Sequence, residues 1–416
     1  MRVLSHLRSA GVVSNTLASV LLRGSITAIQ LGVVLLPTFF VEIGIFGSLA
    51  FLIAMIELFK IFAEFGIDTY ATREFARNTQ QTDIAALSSR VLWLKLAMGG
   101  LSYLALLGFY WLTQPPSDVI LVVIGGLLIF TGLWIGLPLS YFQAKLLTRV
   151  IALPITAVNI AMLIVTTVLL MWQPLPIVAV VCLLVSEIVA GALLWRAFRR
   201  TTTFLPSQIQ VNAKPILRAS LPIGITTSII ALYGQFGAIV LNTWFGTVAT
   251  GSFLFAERLT QPPLLIAGAY AYSVFSRLST MHAYADAATL QKKAWQYVWG
   301  AFLFGALCAI LVSQLGRLLV PIVLSNYVAA VPVLQIMSVV LGLRVINSCL
   351  TRVIHAYGHF DWTMWVAIAN LIAVVIFTPI GIYIASGIGA AAALVFSEGF
   401  NLCVQLWLVR KKKNAI

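Results

Sequence analysis

A handful of ionisable side chains stand inside stretches that offer them little water, and they mark where this chain can do chemistry. Arg23 lies about midway along the apolar run 12–36. Glu57, Lys60 and Glu64 follow in the next run at spacings of three and four, which places them on one helix face. Lys95, the adjacent Glu257 and Arg258, and Arg344 occupy later runs, while Glu187 and Glu398 each follow a serine deep within theirs. Charges in a bilayer are costly and face protein or a water-filled cavity. A basic cavity concentrates anions, and the planar fork of arginine suits phosphate. Arg23, Arg258, Lys95 and Arg344 are therefore the candidate substrate-binding residues, although Lys95 is close enough to its span end to snorkel outward. Glu57 and Glu64 are the candidates for coupling to protons or another cation; with Lys60 they also form a ladder that could neutralise itself. For Glu187 and Glu398 a structural hydrogen-bonding role is at least as good a reading as transport.

The elements that must position these groups follow from composition. Hydrophobic residues make up 61% of the 416, charged residues 9%, and mean hydropathy is +1.01. A soluble domain carries about a quarter charged residues. Runs of roughly 20 apolar residues, each able to cross a bilayer core, are expected at 12–36, 44–64, 88–112, 119–139, 151–172, 177–197, 216–243, 250–274, 295–314, 328–350, 363–384 and 388–408. The pattern predicts an all-α polytopic membrane protein of about twelve transmembrane helices, since the alternation of a membrane barrel is absent. The opening residues 1–16 lack a cleavage pattern, so the first span is expected to be retained.

The formal net charge of +14 falls mainly in the connections after even-numbered spans, with Arg317 alone on the other side. That bias places both termini in the cytoplasm and makes anionic membrane lipid, rather than nucleic acid, the secondary partner. The polar segment 199–215 divides the chain into six-helix lobes at 1–200 and 216–416, joined by a linker at 201–215. Gly47-Ser48 and Gly251-Ser252 open the second and eighth spans, and Ser186-Glu187 and Ser397-Glu398 lie mid-span in the sixth and twelfth. Matches at equivalent positions favour parallel repeats about an axis along the membrane normal. Pro222, Pro262 and Pro263 are expected to bend the seventh and eighth spans. Cys182, Cys308, Cys349 and Cys403 read as small packing residues. No phosphate-binding loop and no His/Cys spacing for a metal is present, so no ATP hydrolysis, cofactor or metal is expected.

Several segments resemble the Wzx-type polysaccharide flippases. Glu64-Phe65-Gly66 through Ala71-Thr72-Arg73-Glu74 is similar to that family's acidic residue before Phe-Gly, followed by Ala-x-Arg-Glu. Leu217 to Pro222 resembles its entry to helix seven, Gly251 to Ala256 the stretch after it, and Gly387 to Ala391 its turn before the last helix. Tyr141-Phe142-Gln143-Ala144 is similar to a Phe-Gln-Gly element, with Ala144 departing from the glycine. The resemblance runs through both halves. It implies the MATE-like fold of the multidrug/oligosaccharidyl-lipid/polysaccharide (MOP) exporters, with two six-helix bundles around a cavity. It further implies a bacterial inner-membrane flippase, not an enzyme, that moves undecaprenyl-diphosphate-linked oligosaccharide to the periplasmic leaflet. Polymerase and chain-length machinery would be its partners. Under it, Arg23 and Arg258 would hold the diphosphate. A cation-coupled drug antiporter of the same fold, a membrane-embedded glycan polymerase or ligase, and a non-transporting scaffold are the alternatives.

Overall fold

The computed structural model describes residues 21–22, 24–77, 80–113, 119–202, 213–281, 286–357 and 360–411. Among them the chain is helical: α1 Gly24–Phe39, α2 Ile43–Glu64, α3 Ile67–Arg77, α4 Gln81–Thr113, α5 Val119–Ala144 and α6 Thr148–Trp172. There follow α7 Pro176–Thr201, α8 Ala213–Met281, α9 Ala287–Val323, α10 Val331–Ala356 and α11 Phe360–Lys411. Nine of the described helices are long and apolar enough to cross a membrane, and α1 is a shorter apolar helix. This is a multi-pass membrane protein. Two helices are broken: α8 at Gly246, whose φ is 75°, and α11 at Ala385 and Ser386. The breaks fall between 243 and 250 and between 384 and 388, where the apolar runs pause.

Prolines sit inside these rods as well as at their ends. α5 continues through Pro138 to Ala144, and α6 starts at Thr148, ahead of Pro154. α9 is opened by Asp286, whose carboxylate accepts from the Thr289 N–H at 3.0 Å. Those bonds from Thr289 hold the exposed Asp286 carboxyl below its usual range.

Among the described helices, α3 is the short, strongly two-faced one. Ile67, Ala71 and Phe75 recur every fourth residue and are buried, while Arg73 and Arg77 on the other side are exposed. A turn with φ of 42° at Phe65 and 73° at Gly66 sets it off from α2. Only glycine adopts the second value without strain, and a Cβ there would press on the backbone of Ser220 and Gly224. Tyr70 on α3 has its phenol pushed up by burial, with Glu74 adding to the shift.

Compactness divides the chain into two units that do not follow the polar linker. One comprises Met1–Val41 with Leu52–Ala231, the other Glu42–Phe51 with Leu232–Ile416. In the first, Phe75, Tyr141, Phe142, Trp195 and Phe198 form an aromatic core where α3, α5 and α7 meet. In the second, Val274, Leu278, Leu290, Ala301, Leu341 and Cys349 pack α8, α9 and α10 together. Phe46, Phe255 and Tyr327 make a further aromatic cluster there. Cys182, Cys308 and Cys349 are buried, whereas Cys403 is exposed.

Candidate functional site

Inside the first unit, two lysines and three carboxylates gather among apolar helices. Lys60 of α2 reaches across to α7, where its Nζ donates to Glu187 Oε1 at 3.0 Å. The other carboxylate oxygen of Glu187 accepts from Thr131 of α5. One turn further along α2, Glu64 lies within electrostatic range of Asp68, Lys95 and Lys60. Lys95 of α4 is fully buried and donates to Asp68, in the first turn of α3. Ser140 of α5 donates to the Asp68 backbone carbonyl at 3.3 Å and ties that turn down. Lys60, Asp68 and Glu187 border a cavity of about 220 Å³, with Asn159 and Ser186 on its wall. A hydrogen-bonded track leads away from it: Ser186 donates to Asn159, and Asn159 and Thr156 donate to Ser25.

The arrangement depends on what α5 lacks. Gly132 and Gly136 lie one turn apart; a Cβ on the first would fall on the Lys60 side chain, and on the second on Asp68 and Lys95. Both ion pairs thus run over a strip of bare backbone. Gly136→Val is expected to lower stability by about 1–3 kcal/mol through overpacking. Gly100→Ala, where a Cβ meets nothing within 4 Å, is expected to be neutral. Thermal unfolding of the two purified variants separates these outcomes.

The second unit holds a tighter set. Arg344 of α10 stands between two buried carboxylates, its Nε donating to Glu398 Oε1 at 3.2 Å and its Nη1 lying 3.8 Å from Glu257 Oε1. Asn347, one turn along α10, donates to Glu398 Oε2 at 2.8 Å and to its backbone carbonyl at 3.0 Å. The polar seam continues as Thr351 donates to Gln405, and Gln405 to Asn401. Arg258 is buried beside this set on α8, with Nη1 3.5 Å from Gln261 Oε1. Glu187 and Glu398, the matching acids of the two halves, face α5 and α10, which hold the expected fourth and tenth spans.

A family model described as polysaccharide biosynthesis protein matches residues 12–282. The chain belongs to that family. No curated protein matches it. Among solved structures, an inward-facing multidrug resistance MATE family transporter of the MOP superfamily aligns over 96% of this chain and 98% of its own. The TM-score is 0.78 and the identity 15%. The lipid II flippase MurJ in an inward closed conformation aligns over 95% of this chain and 87% of its own, with TM-score 0.73 and 16% identity. A MOP superfamily transporter from Pyrococcus furiosus aligns over 97% and 96%, with TM-score 0.60 and 14% identity. These likenesses are of fold: this polysaccharide biosynthesis protein has the MOP-exporter architecture.

Within that architecture the candidate residues separate. Arg23 lies outside the described residues. Glu57 is one turn from Lys60 on α2, and the lysine pairs with Glu187 on another helix. Lys95 does not snorkel; it points inward to Asp68, whose charge offsets the cost of burying it. Arg344 is committed to Glu257 and Glu398. Among the described residues of the first unit, this cluster holds three carboxylates and two ammonium groups. Asp68 was missed because it follows the apolar run, in a segment that reads as surface. The signal was available: an acidic first-turn residue after Phe-Gly, at the head of the Ile67, Ala71, Phe75 stripe.

Proposed function

We propose that this protein flips undecaprenyl-diphosphate-linked oligosaccharide units from the cytoplasmic to the periplasmic leaflet of the bacterial inner membrane. It does so by alternating access, through twelve spans in two six-helix lobes with both termini cytoplasmic. Membership of the polysaccharide biosynthesis family carries this reading, and the MOP-exporter fold, shared with a protein named as a lipid II flippase, supports it. Polar glycan cannot cross hydrocarbon unaided, since each unsatisfied group costs several kcal/mol there. A protein-lined path supplies those partners while the lipid tail stays in the bilayer. No bond is made or broken, so the protein acts as a transporter rather than an enzyme.

Arg23 and Arg258 are our candidates for the diphosphate. Lys95 and Arg344, already held by carboxylates, serve to position helices. Coupling falls to Glu64, with Glu57 beside it. Among the described residues, three carboxylates and two ammonium groups leave one negative charge that a proton cancels, and Glu64 has no ion pair there. Taking up a proton at Glu64 neutralises the set without breaking either lysine pair.

Leaflet orientation of lipid-linked units in cells lacking the protein tests the reading, with wild type and Glu64→Gln as complements. Units trapped facing the cytoplasm and released by wild type are the expected result. Glu64→Gln is expected to translocate about tenfold more slowly, within the range of ordinary coupling free energies, and to lose its response to a proton gradient. Normal orientation without the protein or any redundant flippase overturns the proposal. Drug sensitivity in those cells would then favour the antiporter suggested by the MATE likeness, and periplasm-facing single units the polymerase.

A further inference from the structure

On the outside of the first unit, the start of α6 and the end of α7 enclose a groove of about 240 Å³. Ile151, Pro154, Ile155 and Leu194 give it an apolar floor, and Arg196 and Arg200 stand at one end. The two arginines are one helical turn apart and share a face. Both are exposed, and neither forms an ion pair or hydrogen bond among the described residues. They lie in the last two turns of α7, at the basic end of that apolar helix.

We propose that this groove is a binding site for a resident anionic phospholipid, one acyl chain lying along the apolar floor and the phosphate held by Arg196 and Arg200. The chemistry is complementary at both ends. A paired guanidinium fork takes phosphate through several charge-assisted hydrogen bonds. The floor removes an acyl segment from its neighbours without exposing any polar group to hydrocarbon. A soluble anion would use only the arginines and leave the groove empty; a zwitterionic lipid would bring its own cation to the same end. Basic recesses between membrane helices at the interface suit anionic head groups for these reasons. The proposal does not rest on the flippase reading, since it concerns a lipid that stays.

Native mass spectrometry of the full-length protein, delipidated and titrated with phosphatidylglycerol or phosphatidylcholine, tests it. Wild type is expected to bind phosphatidylglycerol about thirtyfold more tightly than the Arg196→Gln, Arg200→Gln double variant, as follows from about 1 kcal/mol for each basic residue near a membrane surface. Phosphatidylcholine is expected to bind both weakly and equally. Ala197→Trp, which fills the groove and keeps both arginines, is expected to lose phosphatidylglycerol as well. Equal phosphatidylglycerol affinity in all three proteins overturns the site. So does retention by Ala197→Trp alone, which leaves only surface charge. Displacement of phosphatidylglycerol by equimolar undecaprenyl phosphate overturns the assignment of the occupant and gives the groove to the transported lipid.

Discussion

Asp68→Leu is expected to abolish most of the folded protein recovered in detergent, and Asp68→Leu with Lys95→Met to restore much of it. Lys95 has no exposed surface, so losing its partner leaves a buried ammonium without a hydrogen-bonded carboxylate among the described residues, with Glu64 in electrostatic range. Breaking such a pair costs about 3–5 kcal/mol, while replacing both members by apolar groups is often neutral or stabilising. Against a total stability of about 5–15 kcal/mol, the single change is severe. The Asp68 side chain keeps some exposure toward the cavity, and that access moderates its own part of the loss. Asp68→Asn is expected to fall between, because the amide oxygen still accepts from Lys95. Heat challenge followed by fluorescence-detected gel filtration ranks the four proteins. A single variant as stable as wild type, or a double variant no better than the single, would sink the account.

In the second unit Arg344→Met is expected to be the most damaging single change. It leaves Glu257 and Glu398 facing one another with no cation between them, and the loss is again about 3–5 kcal/mol. Glu398→Gln is expected to be much milder, since Asn347 and Arg344 can still donate to the amide oxygen. Arg344→Lys should recover only part, because one ammonium cannot span two carboxylates as a guanidinium does. The same heat challenge reads all three. If Glu398→Gln proved worse than Arg344→Met, the cation would not be what organises this cluster.

The long described helices were legible from the spacing of polar residues, down to the breaks at Gly246 and Ser386, whereas α3 was not. The mid-membrane charges were legible as charges. Their partners were not. Lys60 and Glu187 are separated by 127 positions, and Lys95 and Asp68 by 27 with a turn of unusual backbone between. No periodicity within one helix states which other helix lies beside it. Lys60 read as part of a ladder because Glu57 and Glu64 are its near neighbours along α2, but a longer reach over Gly132 brings it to a better-placed carboxylate. Arg344 read as a free cation for the same reason, with its two acids on other helices.

The two acids at matching positions have a consequence of another kind. Glu187 is held by a hydroxyl and a lysine at the edge of a void, Glu398 by a guanidinium and an amide. The two acids match in position along the chain but not in the groups that hold them. Glu187 pairs with Lys60, the lysine that also acts on Glu64, whereas Glu398 shares Arg344 with Glu257. The two segments are therefore not expected to be interchangeable: the Glu187 segment grafted in place of the Glu398 segment would bring its acid to Arg344 and Asn347 instead of Lys60 and Thr131.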